Sequence, residues 1–133
     1  VRTAYRVVAL VISVAVGLQV ASIALAGFTV AKDAGDGVAI GADYTNLGQS
    51  YHSIAGTAIG VLALGLLVVS FLTEVPRGRV LAGVVVGLVA VQFALAVVSF
   101  GLPALGVLHG LNGLAIAAVA GAAAGRAARQ AGA

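Results

Sequence analysis

Two histidines, His52 and His109, are the only imidazoles in the 133-residue chain, and each opens a version of the same octapeptide. HSIAGTAI at 52–59 and HGLNGLAI at 109–116 share their first, fifth, seventh and eighth letters. In both copies a glycine, Gly56 or Gly113, follows the histidine by four residues, which on a helix is the same face one turn further on. A residue without a side chain there leaves room for a flat, bulky group against the helix. Neutral imidazoles are metal ligands, and two of them on opposite sides of a porphyrin supply both axial positions of its iron. With no cysteine and no methionine in the chain, His52 and His109 are the candidate iron ligands. A zinc site is not expected, because two histidines fill only half of the usual four-ligand shell.

Composition defines the setting of this pair. The chain is 62% hydrophobic and only 8% charged, far from the roughly 25% charged residues of soluble domains. Four apolar stretches approach the ~20 residues needed to cross a bilayer. They are Val7–Ala31, His52–Thr73, Val80–Gly101 and about Leu105–Gly125. The expected fold is all-α: one integral membrane domain over 1–133, an up-down four-helix bundle of two tandem helical hairpins. The first stretch follows two arginines and contains a cleavage-like ALA at 24–26. It exceeds an ordinary signal-peptide core in length and is expected to be a span. The polar segment from Lys32 to Tyr51 is rich in Gly, Asp and Asn, which oppose regular helix. EVPRGR and the Pro-containing link near Leu102–Ala104 are short turns, as antiparallel neighbours require.

Arginine placement predicts orientation. Arg2 and Arg6 precede the first span, Arg77 and Arg79 separate the second from the third, and Arg126 and Arg129 follow the fourth. All six fall on one side, which the positive-inside rule makes cytoplasmic, with both termini there. Lys32, Asp33, Asp36 and Asp43 fall on the other. Tyr44 and Tyr51 are expected at the outer interface and Tyr5 at the inner one. A net charge of +3 in this arrangement reports topology and gives no reason to expect a nucleic-acid partner.

Depth then joins the two histidines. Both spans that carry them start on the outer side, so the imidazoles lie at similar depth, and spans 2 and 4 are diagonal partners in an up-down bundle. Gln19 and Gln92 each stand twelve residues into spans 1 and 3, roughly 18 Å from the inner edge. They are expected to join helices by hydrogen bonds. Ala117, Ala120, Gly121 and Ala124 continue the histidine face of span 4 with small residues, so the inner half is expected to pack closely. A cofactor would then occupy the outer half. Asn112, one turn from His109, is a candidate helix contact or pocket donor. Three aspartates against one lysine oppose heme propionates on that side. Outward-pointing helix N-termini favour them, and Tyr44, Asn46, Gln49, Ser50 and Ser53 offer neutral donors.

The layout, with Y-H-x-x-x-G at Tyr51–Gly56 and L-H-x-x-N-G at Leu108–Gly113, resembles a family of small four-span bacterial membrane proteins. More distantly it is similar to one four-helix half of heme A synthase, whose halves each place a histidine pair on their second and fourth helices around a heme. The resemblance covers nearly the whole chain and implies that His52 and His109 are the heme ligands. The synthase has a glutamate three residues before the first histidine, where this chain has Gln49.

The expected function is binding of one b-type heme in the bacterial plasma membrane. The expected role is electron transfer, or heme handling as a small subunit or accessory of a respiratory assembly. A cofactor-free structural or assembly protein is the alternative, and a heme or quinone oxidoreductase the third reading. Catalysis by this chain alone is not expected, since no Asp, Glu, Lys or Arg lies within the apolar stretches. The map is checked by cysteine labelling of intact cells. Gly35→Cys should react with an impermeant reagent from outside and a tag after Ala133 should be cytoplasmic; the reverse pattern refutes the orientation.

Overall fold

The computed structural model describes residues 1–130, so Ala133 lies outside the described residues. The described residues form four α-helices: α1 (Arg2–Gly35), α2 (Leu47–Phe71), α3 (Gly78–Ser99) and α4 (Gly106–Arg129), with a short 3-10 turn at Pro103–Leu105 before α4. No strand occurs among the described residues. All four helices are long and apolar enough to cross a membrane.

Each apolar stretch lies largely within one helix, but the helix ends differ from the ends of the stretches. At 34 residues, α1 runs about 50 Å, well beyond a ~30 Å hydrocarbon core. Its polar last turn is held by the Lys32–Asp36 pair, one turn apart, and Gly37, at φ +83°, provides the left-handed residue that ends it. The start of α2 lies five residues before His52. Asn46 caps it: its side-chain oxygen accepts from the Gln49 N–H at 3.1 Å, while the Gln49 Oε1 accepts from the Asn46 N–H at 3.0 Å. This reciprocal box satisfies two otherwise free donors, and it overrides the loop character of the preceding residues.

Each helix packs on two others. α1 meets α2 and α4, and α3 meets α2 and α4, while α1–α3 and α2–α4 make no backbone approach. Neighbours run in opposite directions. Arg2 at the start of α1 donates to the Gln130 carbonyl just past α4, and Asn46 at the start of α2 donates to the Ala26 carbonyl late in α1. The arginines therefore gather at one end of the bundle and Lys32 with the aspartates at the other.

Tyr5, Ala9, Ile12 and Val16 on α1 bury one face at helical spacing against Ile59, Ala63 and Leu66 of α2 and Ala82, Val85 and Val89 of α3. The fourth wall is small, with Ile116, Ala120, Ala123, Ala124 and Ala127 of α4. Across it the Ser13 hydroxyl donates to the Ala117 carbonyl at 3.0 Å, so α1 and α4 lie close. Tyr5 turns into the bundle. It is fully buried at the arginine end, where its hydroxyl donates to the Gly78 carbonyl at 2.9 Å, because a buried phenol must find an acceptor. The outward faces carry Val14, Leu18, Phe28, Val61, Val68 and Val97 exposed, an apolar coat suited to lipid.

The tightest approach joins α1 to α2 near the aspartate end. A methyl group on Gly48 would collide with the Ser22 carbonyl and the Ala26 backbone, reaching 2.8 Å from the Ala26 Cα. Gly48→Ala should thus cost about 1–3 kcal/mol by overpacking. Gly65→Ala, in open space on the same helix, should be neutral or stabilising by up to about 1 kcal/mol. Thermal unfolding in detergent compares the two; equal midpoints would show that the approach does not constrain the bundle.

Candidate functional site

His52 occupies the second turn of α2 and His109 the first turn of α4. Although these helices make no backbone approach, the two imidazoles meet across the diagonal, ring centroids 6.1 Å apart and planes tilted by 54°. Both rings are half-buried. The sequence expectation that the histidines face one another across the bundle matches this geometry.

Around His109 the hydrogen bonds fix a tautomer. Its Nδ1 lies 3.2 Å from the Gln92 backbone oxygen, and a carbonyl only accepts, so Nδ1 carries the proton. Nε2 is then the acceptor, 3.0 Å from the Gln92 side-chain Nε2. Asn112 sets the sense of that amide, since its Nδ2 donates to the Gln92 Oε1 at 2.7 Å and to the Leu88 carbonyl at 2.9 Å. Asn112 is thus a helix contact between α4 and α3 that orients the histidine's neighbour.

The first half of the cluster has the same outline and different chemistry. Gln19 stands to His52 as Gln92 does to His109, but its Nε2 donates to the His52 backbone carbonyl at 3.0 Å. Where α4 has Asn112, three residues past its histidine, α2 has Ala55. The amide accordingly has no second anchor. The Gln19 Oε1 and the His52 Nδ1 are both buried without a hydrogen-bond partner in the protein.

Gly56 and Gly113 also occupy equivalent places. A Cβ built on either would stand 3.5 Å from a glutamine Nε2, of Gln19 and Gln92 respectively. The surface beside each glycine therefore receives a glutamine amide from the neighbouring helix, where the sequence reading expected clearance for a flat group. Matched depth was the signal for the two glutamines, but it could not show that they contact the glycines and flank both histidines.

Several of the anticipated propionate donors are engaged elsewhere. Gln49 and Asn46 form the α2 cap, Asn46 Nδ2 also bonds the Ala26 carbonyl, and the Tyr44 hydroxyl donates to Asp33 at 2.7 Å. That bond to a carboxylate holds the Tyr44 phenol above its ordinary pKa. Ser53, exposed on the turn of His52, has no such engagement.

Among the described residues no three His, Cys, Asp or Glu side chains cluster to hold a metal ion. The histidine pair suits only a metal that brings its remaining ligands with it. With a metal–imidazole bond of about 2 Å on each side and the half-width of each ring added, ligating centroids stand roughly 6 Å apart. The tilt is no obstacle, because each ring contains its own metal–nitrogen axis and can turn about it. A backbone carbonyl on Nδ1–H, as at His109, is the usual support for a ligating imidazole. The separation of the pair fits a heme iron, but the His109 Nε2 lone pair is taken by the Gln92 amide and the glutamine amides lie against the glycines a porphyrin would approach.

Comparison with protein families, curated proteins and solved structures finds no match to this chain.

The unequal halves have an energetic consequence. Gln92→Leu strands the His109 Nε2 and breaks the Asn112 bond, and should cost about 1–3 kcal/mol. Gln19→Leu removes one bond together with an unpartnered oxygen, and should stay within about 1 kcal/mol of wild type. Thermal midpoints in detergent measure both, and equal losses would show the two glutamines to be equivalent.

Proposed function

We propose that the chain spans the bacterial plasma membrane four times, as two tandem hairpins with both termini cytoplasmic, and binds one b-type heme through His52 and His109. The observation that carries this reading is the 6.1 Å separation of two imidazoles delivered by helices that do not touch. Bringing two polar rings together in an apolar bundle, with no charged partner, is costly unless they share a ligand. The role that follows is electron transfer, or heme handling as a small subunit or accessory of a respiratory assembly, with heme and lipid as partners. Bound heme supplies a one-electron iron couple. The protein's part would be to hold the His109 proton on Nδ1, through the Gln92 carbonyl, and to shield the pair with the apolar walls of α1 and α3, while the Gln92 amide on Nε2 and the glutamine amides beside Gly56 and Gly113 would have to move aside. The distant likeness to half of heme A synthase agrees with this assignment. Gln49 in place of the synthase's glutamate and the lack of a titratable acid or base within the helices argue against modification of the heme itself.

A second reading has its own support. Gln92 contacts His109, Asn112 and Gly113 in a way that joins α3 to α4 with no cofactor. The absorbance spectrum of detergent-purified protein separates the two. Heme binding gives a Soret band and a low-spin reduced spectrum in wild type, lost in the His52→Ala/His109→Ala double variant. Gly56→Leu and Gly113→Leu should lose heme, and circular dichroism separates the folded, colourless protein that porphyrin clearance predicts from the loss of fold that a helix-packing role predicts. Equal heme in wild type and the double-alanine protein overturns the assignment.

A further inference from the structure

The arginine end of the bundle carries more positive charge than the protein answers. Six arginines, Arg2, Arg6, Arg77, Arg79, Arg126 and Arg129, gather there against one acid, Glu74. Two helices start at this end and two stop, so their dipoles largely cancel and the side chains set the field. The one ion pair among the described residues, Lys32–Asp36, lies at the opposite end. Two of the six arginines are engaged within the protein. Arg2 donates to the Gln130 carbonyl at 2.9 Å, and the Arg79 guanidinium stands over the Phe71 ring, 5.3 Å from its centre. Arg126 and Arg129, in the last turn of α4, instead line a shared cleft of about 270 Å³ with Gln130 and with Pro76 from the turn between α2 and α3. A single water needs only about 10–15 Å³ of such space, so the cleft has room for a phosphate group. Arg126 is half-buried, and no carboxylate pairs with it among the described residues. Gln130 ties the walls together, since its carbonyl accepts from Arg2 and its side-chain Nε2 reaches the Glu74 carbonyl at 3.5 Å. Arg77, beside Pro76, is the one non-glycine residue with positive φ among the described residues, at 58°. Glycine would take that conformation freely, so the turn keeps a guanidinium where its backbone alone favours no side chain.

We propose that the cleft between Pro76, Arg126, Arg129 and Gln130 is a binding site for a phosphate monoanion, supplied by the headgroup of an anionic phospholipid. The inference rests on the membrane-spanning part of the reading above and does not involve heme. A guanidinium presents a planar fork of N–H donors that matches two phosphate oxygens, and one partly withdrawn from water needs such an acceptor. The carbonyls that end α4 answer only about half a charge against the two guanidinium groups of its last turn. In a bilayer the arginine end lies at headgroup level, where a lipid phosphate is always within reach, whereas a free anion has to be drawn from solution. A phosphate held in the cleft links the end of α4 to the turn between α2 and α3. Its binding therefore stabilises the folded chain by mass action.

Thermal unfolding of the full chain in an uncharged detergent at about 0.15 M salt, titrated with short-chain phosphatidylglycerol, phosphatidylcholine or inorganic phosphate, reads the site. Phosphatidylglycerol should raise the midpoint saturably, and the other two should act far more weakly at the same concentrations. Arg126→Gln and Arg129→Gln should each raise the half-saturating phosphatidylglycerol roughly tenfold, the scale of a lost hydrogen bond to a charged group, with helix content unchanged by circular dichroism. Arg126→Lys keeps the charge without the fork and should lose most of the same affinity. Arg79→Gln removes an equal charge from the guanidinium over Phe71 and should leave the titration nearly unchanged. Equal losses in Arg79→Gln and Arg126→Gln, or full affinity in Arg126→Lys, would reduce the effect to a diffuse positive field and overturn the site. Equal responses to phosphatidylglycerol and phosphatidylcholine overturn it as well. Inorganic phosphate acting at the same half-saturation would make the ligand a free anion and overturn the lipid assignment. A chain recovered in the soluble fraction without detergent overturns the membrane reading and the site together, whereas the titration outcomes sink the site alone.

Discussion

A polar side chain among apolar helices has to be answered by another polar group, and that requirement organises this bundle more than any apolar contact does. Apolar side chains on membrane-type helices gain little from choosing one neighbour over another, since lipid and leucine are equally apolar. Direction comes from the few groups that cannot be left alone. Tyr5 ties α1 to the start of α3, Ser13 ties α1 to α4, Gln19 and Asn46 tie α1 to α2, and Gln92 with Asn112 ties α3 to α4. Small residues let these short side chains reach. At Gly48 the α1 and α2 backbones approach so closely that no side chain fits, and on α4 the alanine wall brings the Ala117 carbonyl within reach of Ser13.

Most of the architecture is legible in the sequence because the bilayer constraint is crude. Four apolar runs, short turns and one-sided arginines give four helices in the observed order, with the arginines at one end. Helix ends are less legible, because they depend on side chains reading backbone groups rather than on hydropathy. Asn46 and Gln49 are an ordinary polar pair until both bonds of the capping box form, and then α2 gains five residues ahead of His52. The same box removes Gln49 and Asn46 from the group of free donors expected near the outer end. Tyr5 is similar: its position in the chain says interface, but the acceptor at Gly78 is visible only once α3 is in place.

At the candidate site the repeated histidines come together but in unequal surroundings. Matching letters at His, Gly, Ala and Ile imply equivalent backbones, and the equivalent glycine–glutamine contacts, both 3.5 Å, agree. Non-matching letters are easily read as noise. Ala55 and Asn112 sit at the same place in the two copies, and this one difference decides whether the adjacent glutamine points its amide at an imidazole or at a backbone carbonyl. Hydrogen-bond networks are cooperative, so a single missing donor changes the orientation of the groups behind it as well.

The two halves also weigh differently on the choice between a cofactor site and a helix junction. If the histidines and glutamines served only to join helices, both halves should be satisfied, since an unmet buried polar atom costs about 1–3 kcal/mol. The second half meets that standard. The first leaves the Gln19 Oε1 and the His52 Nδ1 unpaired, whereas the other buried side-chain polar atoms among the described residues find partners. The first half thus carries an imidazole 6.1 Å from its partner with a buried nitrogen that no protein group answers, which a helix junction alone does not require.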